Sequence, residues 1–519
     1  MNILNAISAS FITVGGIFAL WRQFQMLQQN SYFLSRYFKW VKQNFKFRSI
    51  ISLVLLVICT LSFIFNWEAL GLIFSTLSII RIKTAFSDNK KSIKKLVFTA
   101  RVKRTMLVAV LILIATLICG ILVNSLIYTL SCIFSFIPSV LVALSIIVTK
   151  PIEKSINRYY TNDAKKILKS IDGLKVIGIT GSYGKTSTKY ILGRMLSEKF
   201  NTVITPQSFN TPLGVVRTIR EKIKPQTEIF VAEMGAKNVG DIKEICDIVK
   251  PTLGIITSVG PQHLDTFKSI ENVVSTKFEL ANECSKNDGT VFLNTDNELI
   301  AKNDFGGKSI TFGTKDSNDY KAENIKYGRN GLSFTLTHFD KSFKIASKLL
   351  GIHNALNIAA AAAVCCELGM NEKDITFAAL KLVPVEHRLE MKNYISGSLL
   401  IDDAYNANPS GSLEAVRVLG SFEGMKKIIV TPGLVELGEK EYECNKNLGI
   451  EAAKHCDIII LVGKKRSVPI ADGVKEQGFN ESNLYIAESF KDAVGIFSPM
   501  CDKNTVILFE NDLPDNYAG

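Results

Sequence analysis

Five apolar runs without a single charge crowd the first 150 of the 519 residues, at positions 3–21, 50–65, 69–80, 106–123 and 126–149. Most are long enough to cross the hydrocarbon core of a bilayer, 69–80 being short, and a helix satisfies the backbone there. The start does not read as a cleaved leader: no basic residue precedes the first run, and four more runs follow. Charge points the same way. The chain carries a net +13, and residues 1–104 hold 15 Lys and Arg against two acids, Glu68 and Asp88, while the rest is balanced. A basic excess confined to the flanks of apolar runs orients spans and attracts anionic lipid, so nucleic acid is not expected as a partner. Stretches 22–48 and 81–104 hold that excess. Both are expected in the cytoplasm, with the N-terminus outside and everything beyond Lys150 inside. Residues 24–47 read either as an amphipathic interfacial helix or as a connecting loop. No charged residue interrupts the runs, which favours an anchor over a transport path and leaves a lipid-contacting groove open. Ten scattered cysteines without a C-x-x-C pair indicate neither a disulfide framework nor a zinc site.

Residues 176–188, VIGITGSYGKTST, begin a different kind of chain. They read as an apolar strand, a glycine-rich turn and a helix opening at Gly184-Lys185-Thr186. Such a turn binds phosphate. Backbone N–H groups around Gly181, Ser182 and Gly184 approach the anion, and the helix N-terminus at Thr186 and Ser187 favours its charge. Lys185 reaches terminal phosphates, and the Thr186 hydroxyl suits magnesium. Strands at 202–205, Ile229–Glu233 and 254–257 alternate with amphipathic helical stretches, the pattern of a mostly parallel α/β sheet. Glu233 closes a buried strand, where a magnesium ligand of the Walker B kind stands. Strands at 427–431, Ile458–Val462 and 505–509 predict a second, Rossmann-like α/β domain. The predicted organisation is a multi-domain chain: a transmembrane α-helical region 1–150, a helical linker 151–171, an α/β P-loop ATPase domain 172–384 and a C-terminal domain 385–519.

The loop is not a strict Walker A, because five residues separate Gly178 from Gly184. The variant G-x-T-G-[ST]-x-G-K-T resembles that of the Mur ligase family of ATP-dependent amide-forming enzymes. Glu233 followed by Met234-Gly235-Ala236, LLIDDAYNANP at 399–409 and PGLVELG at 432–438 resemble its MurF branch. The likeness covers roughly residues 172–510. It implies ATP and two magnesium ions, with Lys185 on the phosphates. Thr186, Glu233, His263 of GPQHL and Lys277 of STKFEL, the last as a carbamate, would hold metal. Lys185, Lys277, His263 and Arg388 of the hinge-like VEHRL are the implied catalytic set. Asn294 and Asp296 of LNTDN stand near nucleotide, and Asn354 and Asn357 of GIHNALN suit an adenine edge. His353 caps or packs. Asp403 would engage nucleotide from the C-terminal domain, and Tyr405, Asn406 and Asn408 would shape the substrate side.

The implied reaction has two stages. ATP phosphorylates a substrate carboxylate, and an amine then displaces phosphate from the acyl phosphate. The implied partners are ATP, a nucleotide- or lipid-linked cell-wall precursor, and an amino acid or dipeptide such as D-Ala-D-Ala. The implied location is a multi-pass place in the cytoplasmic membrane, with the catalytic domains in the cytoplasm and lipid bilayer around the spans. Three departures stand out. The family's N-terminal UDP-binding domain has no counterpart, and apolar runs occupy its place. Asn445 stands where the branch often has His, and Glu510-Asn511-Asp512 replaces a K-G-S motif. A membrane ligase for another polymer, of the poly-γ-glutamate kind, and a non-catalytic ATP-binding scaffold are the competing readings.

Overall fold

The computed structural model describes residues 3–30, 32–44, 47–65, 67–76, 95–123, 125–262, 264–404, 407–435 and 437–511. The chain divides into two compact units, Met1–Tyr159 and Tyr160–Gly519.

Among its described residues, the regular structure of the first unit is helical. Its helices are Ile3–Gln29, Leu34–Gln43, Phe47–Ile64, Glu68–Thr76, Ala100–Leu122, Tyr128–Phe136 and the first part of Pro138–Lys169. Two apolar clusters hold them, one around Phe24, Tyr37, Leu113 and Leu141, the other around Ile12, Phe63, Tyr128 and Phe136. Gln28 ties the end of the first helix to the segment before Ala100. Its Nε2 donates to the Val97 carbonyl at 2.8 Å, and its Oε1 accepts the Val97 N–H at 3.0 Å. Thr99 then caps the Ala100–Leu122 helix through the Val102 N–H. Arg104 grips Glu153 with two parallel hydrogen bonds of 2.7 and 3.0 Å.

Two of these helices, Ile3–Gln29 and Ala100–Leu122, are long and apolar enough to cross a membrane, or three spans result if a bent pair counts as one. That pair departs from the sequence expectation. The run 126–149 is divided at Ile137 into Tyr128–Phe136 and Pro138–Lys169, bent by 99°. Pro138 opens the second helix, where its missing N–H costs nothing. That helix then continues through Pro151 to Lys169, so the linker expected at 151–171 begins inside a longer helix. The run 69–80 lies partly outside the described residues, and its described part belongs to Glu68–Thr76. Within 24–47, the Leu34–Gln43 helix buries Tyr37 and exposes Phe38 and Lys39.

The second unit contains two sheets among its described residues. The larger runs β2-β3-β1-β4-β5-β6-β7-β8-β9. These are β1 Lys175–Thr180, β2 Thr202–Ile204, β3 Ile229–Glu233, β4 Leu253–Ile256, β5 Thr290–Asn294, β6 Ser309–Gly313, β7 Tyr320–Gly328, β8 Gly331–His338 and β9 Lys341–Ser347. Pairing is parallel from β2 through β7 and antiparallel across β7, β8 and β9. The smaller sheet runs β10-β11-β15-β12-β13-β14. Its strands are β10 Glu390–Asn393, β11 Leu399–Asp403, β12 Lys426–Thr431, β13 Ile458–Val462, β14 Leu484–Ala487 and β15 Thr505–Glu510. Only β10 is antiparallel.

Both sheets bring strand C-termini toward one cleft, the usual place for a ligand in an open α/β sheet. The helix Ile352–Glu367 packs beside the helix Lys185–Leu196. Its Ala359 to Ala363 are fully buried, and side chains this small let the two helices approach closely. The connection between the sheets passes through residues 385–389.

Candidate functional site

The P-loop between β1 and the helix Lys185–Leu196 is shaped by its neighbour loop after β4. A Cβ at Gly181 would lie 2.1 Å from Thr257 Oγ1, and Gly184 has φ +82°, so both positions need glycine. Ser258 receives the loop: its carbonyl accepts the Ser182 N–H at 2.7 Å and its Oγ accepts the Tyr183 N–H at 3.0 Å. Ser182 Oγ donates to the Gly260 carbonyl at 3.1 Å. Lys185 folds back on its own loop, with Nζ 2.6 Å from the Gly181 carbonyl and 3.1 Å from that of Ser182. Burial pushes its ammonium down to about 8, with Glu233 opposing and Arg388 adding to the shift. A lysine held only by neutral carbonyls is ready to exchange them for phosphate oxygens.

Glu233, 1% exposed, is the electrostatic centre of the loop. Its Oε1 accepts from Thr186 Oγ1 and from Asn210 Nδ2, each at 3.1 Å. Its Oε2 accepts from Lys189 Nζ at 2.9 Å, and Lys189 is itself fully buried and donates to the Gln207 carbonyl. Hydroxyl and carboxylate oxygens side by side at the helix N-terminus fit magnesium, a hard cation that takes oxygen ligands. Lys277 is 2% exposed, and among the described residues it pairs with no carboxylate. Burial, and then the nearby charge of Lys185, push its ammonium down to about 7. The lowered value raises the share of neutral amine, the form that can capture carbon dioxide. His263 lies outside the described residues, as do Tyr405 and Asn406.

A cleft of about 1200 Å³ joins the two α/β domains and is lined by Gly184, Thr186, Ser187, Asn294, Arg388 and Asp403, among others. Asn294 Nδ2 donates to the Thr257 carbonyl at 2.8 Å, and Asn294 Oδ1 accepts the Asp296 N–H at 3.1 Å. Asn354 and Asn357 also reach the cleft, yet their amides are engaged within the protein. Asn357 Oδ1 accepts from Thr188 Oγ1 at 2.9 Å and its Nδ2 donates to Asn354 Oδ1 at 3.2 Å, while Asn354 Nδ2 donates to the Leu350 carbonyl at 2.8 Å. They clamp one helix to the P-loop helix. His353 lines the cleft with Nδ1 buried and, among the described residues, without a hydrogen-bond partner, and burial followed by the Arg388 charge pushes it down to about 4, which favours the neutral ring.

The hinge presents Arg388 between two anchors on β11. His387 Nδ1 lies 2.8 Å from Asp402 Oδ2, and the Leu389 N–H donates to Asp403 Oδ1 at 3.1 Å. His387 and Leu389 both have positive φ, 58° and 45°. Asn408 caps the Pro409–Gly420 helix through the Gly411 N–H at 3.0 Å, a structural job beside its place on the cleft wall. From the same helix Glu414 Oε1 accepts the Ile352 N–H at 2.9 Å, joining the domains at a helix N-terminus. Asn445 grips Leu434 of the PGLVELG loop through both N–H and carbonyl.

Sequence reasoning passed over Lys189, Asn210 and Glu414, and it noted Glu510 only as a departure from the K-G-S pattern. Lys189 had a local signal, standing one turn after Lys185. The others act from loops and elements that only folding brings near.

Fold and site together define a P-loop nucleotide-dependent enzyme of two α/β domains. The Mur ligase middle domain matches residues 179–365, and the "Mur ligase, glutamate ligase domain" matches residues 387–510. The UDP-N-acetylmuramoyl-tripeptide–D-alanyl-D-alanine ligase of Bacillus subtilis is 30% identical over 349 residues, 67% of this chain and 75% of that protein. The Escherichia coli enzyme of that name is 31% identical over 317 residues, 60% of this chain and 69% of its own. Among solved structures, MurF from Thermotoga maritima in complex with ADP superposes with TM-score 0.61 at 27% identity, covering 69% of this chain and 80% of that one. MurF from Acinetobacter baumannii gives 0.61 at 25% identity, covering 69% and 77%. The chain belongs to the Mur ligase family, and it is an ATP-dependent carbon–nitrogen ligase.

Proposed function

We propose that this protein adds D-Ala-D-Ala to a peptidoglycan precursor at the cytoplasmic face of the membrane, as a multi-pass, membrane-anchored ligase of the MurF kind. The observation that carries the reading is the cleft, where Gly184, Thr186 and Ser187 at the P-loop of one domain face Arg388 and Asp403 of the other. The sequence likeness of the chain to relatives named as UDP-N-acetylmuramoyl-tripeptide–D-alanyl-D-alanine ligases supports the substrate.

ATP lies with its phosphates on the P-loop. Lys185 leaves its carbonyl partners and takes charge from the transferred phosphoryl group, joined by Arg388. The acceptor carboxylate attacks the γ-phosphorus, ADP leaves, and an acyl phosphate forms. The amine then attacks the acyl carbon, the C–O bond to phosphate breaks, and the nitrogen gives up a proton. Thr186 and Glu233, with His263 and a carbamate on Lys277, would hold magnesium, which would supply charge neutralisation for the phosphoryl oxygens. Lys189 and Asn210 orient Glu233 for that duty. Approach of the two domains excludes water from the acyl phosphate.

Apolar helices occupy the place of a UDP-binding domain, and they support an acceptor delivered at the membrane, including a lipid-linked one. The test is ADP release by the detergent-solubilised full chain. D-Ala-D-Ala and single amino acids are offered against UDP-muramoyl-tripeptide and its lipid-linked counterpart. Turnover with D-Ala-D-Ala on either acceptor is expected, and a preference for the lipid-linked one supports membrane delivery. Turnover only with glutamate donors would place the enzyme with the polymer ligases instead.

A further inference from the structure

Directly behind Asp403 sits a second carboxyl that the reaction does not use. Glu510 closes β15 and stands in register with Asp403 at the end of β11. It is fully buried. Its Oε1 accepts from Ser412 Oγ at 2.5 Å, whereas among the described residues its Oε2 meets no N–H or O–H donor. The strand end is held in place by the next residue. The Asn511 N–H donates to the Asp403 carbonyl at 3.2 Å, and Asn511 Nδ2 donates to the Gly433 carbonyl at 2.6 Å. The charged groups facing the pair are Arg388 from the hinge and Asp402 from β11, and Asp402 is itself matched by His387 and Lys392. This is also the stretch where the chain departs from the K-G-S pattern.

A buried carboxylate oxygen with no donor is costly, and two adjacent carboxylates repel. One proton between them removes both penalties. Burial first, and the neighbouring Asp403 second, hold the Glu510 carboxyl well above the usual range; burial raises Asp403 too, to about 6, against the Leu389 N–H and then Arg388, which favour its charge.

We propose that Glu510 is a positioning residue that keeps its proton, donates it as O–H to Asp403, and so fixes the carboxylate that Asp403 turns to the nucleotide. The pair then presents one negative charge to ATP instead of two. The Asp403 oxygens are aimed from one side by the Leu389 N–H and from behind by Glu510. This rests on the nucleotide reading of the cleft.

Binding of a fluorescent ADP analogue with magnesium tests it, because that needs neither acceptor nor amine. The full-length solubilised protein is titrated across pH 6–9 as wild type, Glu510→Gln and Glu510→Ala, with thermal melts to check folding. Alanine is expected to weaken binding roughly tenfold, and glutamine, whose amide N–H replaces the O–H, to restore it to within about threefold. Wild type should lose affinity toward the alkaline end as the shared proton leaves, and the glutamine variant should not. If alanine unfolds the strand, that contrast between glutamine and wild type decides. Wild-type binding by the alanine variant, or pH profiles for glutamine and wild type that superimpose, would overturn the inference alone. A wild-type protein that binds no ADP would overturn the nucleotide reading with it.

Discussion

Both units bury apolar clusters, and they differ in what else they bury and in what they expose. In residues 1–159, Leu107, Leu111, Leu122, Val123 and Ile147 are more than half exposed, whereas Ser8, Ser62, Ser131 and Ser145 are fully or almost fully buried. In residues 160–519 the interior is Ile, Val, Leu and a run of alanines, and exposed large apolar residues such as Phe339 are scattered. A continuous apolar exterior around hydroxyl-lined helix contacts is stable where lipid is the solvent. The second unit follows the opposite rule and assembles a charged cleft. The difference suits the membrane place proposed for the first unit, and it makes chemistry and location separable by mutation.

The largest separation is expected from Lys185→Ala. It should lower ADP formation by about a thousandfold or more, since it removes a cation aimed at developing charge, while membrane fractionation stays as in wild type. Residual full activity would break the P-loop assignment. Next, Lys277→Ala should cost on the order of a hundredfold in turnover if it removes the metal-site group proposed above. Wild-type activity at limiting bicarbonate should rise with pH through about 7, because the neutral amine forms the carbamate and its fraction grows as pH passes the lowered value. Activity indifferent to bicarbonate and pH there would argue against the carbamate.

The solvent contrast itself is tested by a matched pair. Leu111→Asp places a charge on the apolar exterior and should cost about 3 kcal/mol, read as loss of membrane incorporation or of a folded detergent complex. Phe339→Asp, at an exposed site of the second unit, should shift the melting midpoint by no more than about 0.5 kcal/mol equivalent. Equal effects would erase the comparison. Between them lies Glu414→Ala, which uncaps the Ile352–Glu367 helix and loosens the tie between domains, with about 1 kcal/mol expected in thermal stability.

Much of the architecture was legible because local pattern and global fold agree. β1, β3 and β13 coincide with the apolar stretches that announced them, since buried parallel strands read as short continuous runs. The antiparallel extension β7–β9 was not foreseen, because its half-exposed strands lack that signature. The bend at Ile137 and the uninterrupted passage through Pro151 were equally hidden. Proline marks a helix start and a helix interior with the same letter, and packing chooses between them.

By itself the sequence determined the chemistry at the P-loop, where glycines, Lys185 and Thr186 act within a few residues of one another, and the division of the chain into apolar and α/β parts. Only the tertiary structure decided the partners. It set Lys189 and Asn210 on Glu233, turned Asn354 and Asn357 inward to hold the P-loop helix, and placed Glu510 behind Asp403. Hydrogen bonds and shared protons depend on distances of about 3 Å between residues far apart in the chain, and a linear pattern carries no record of those distances until the sheets bring their strand ends together.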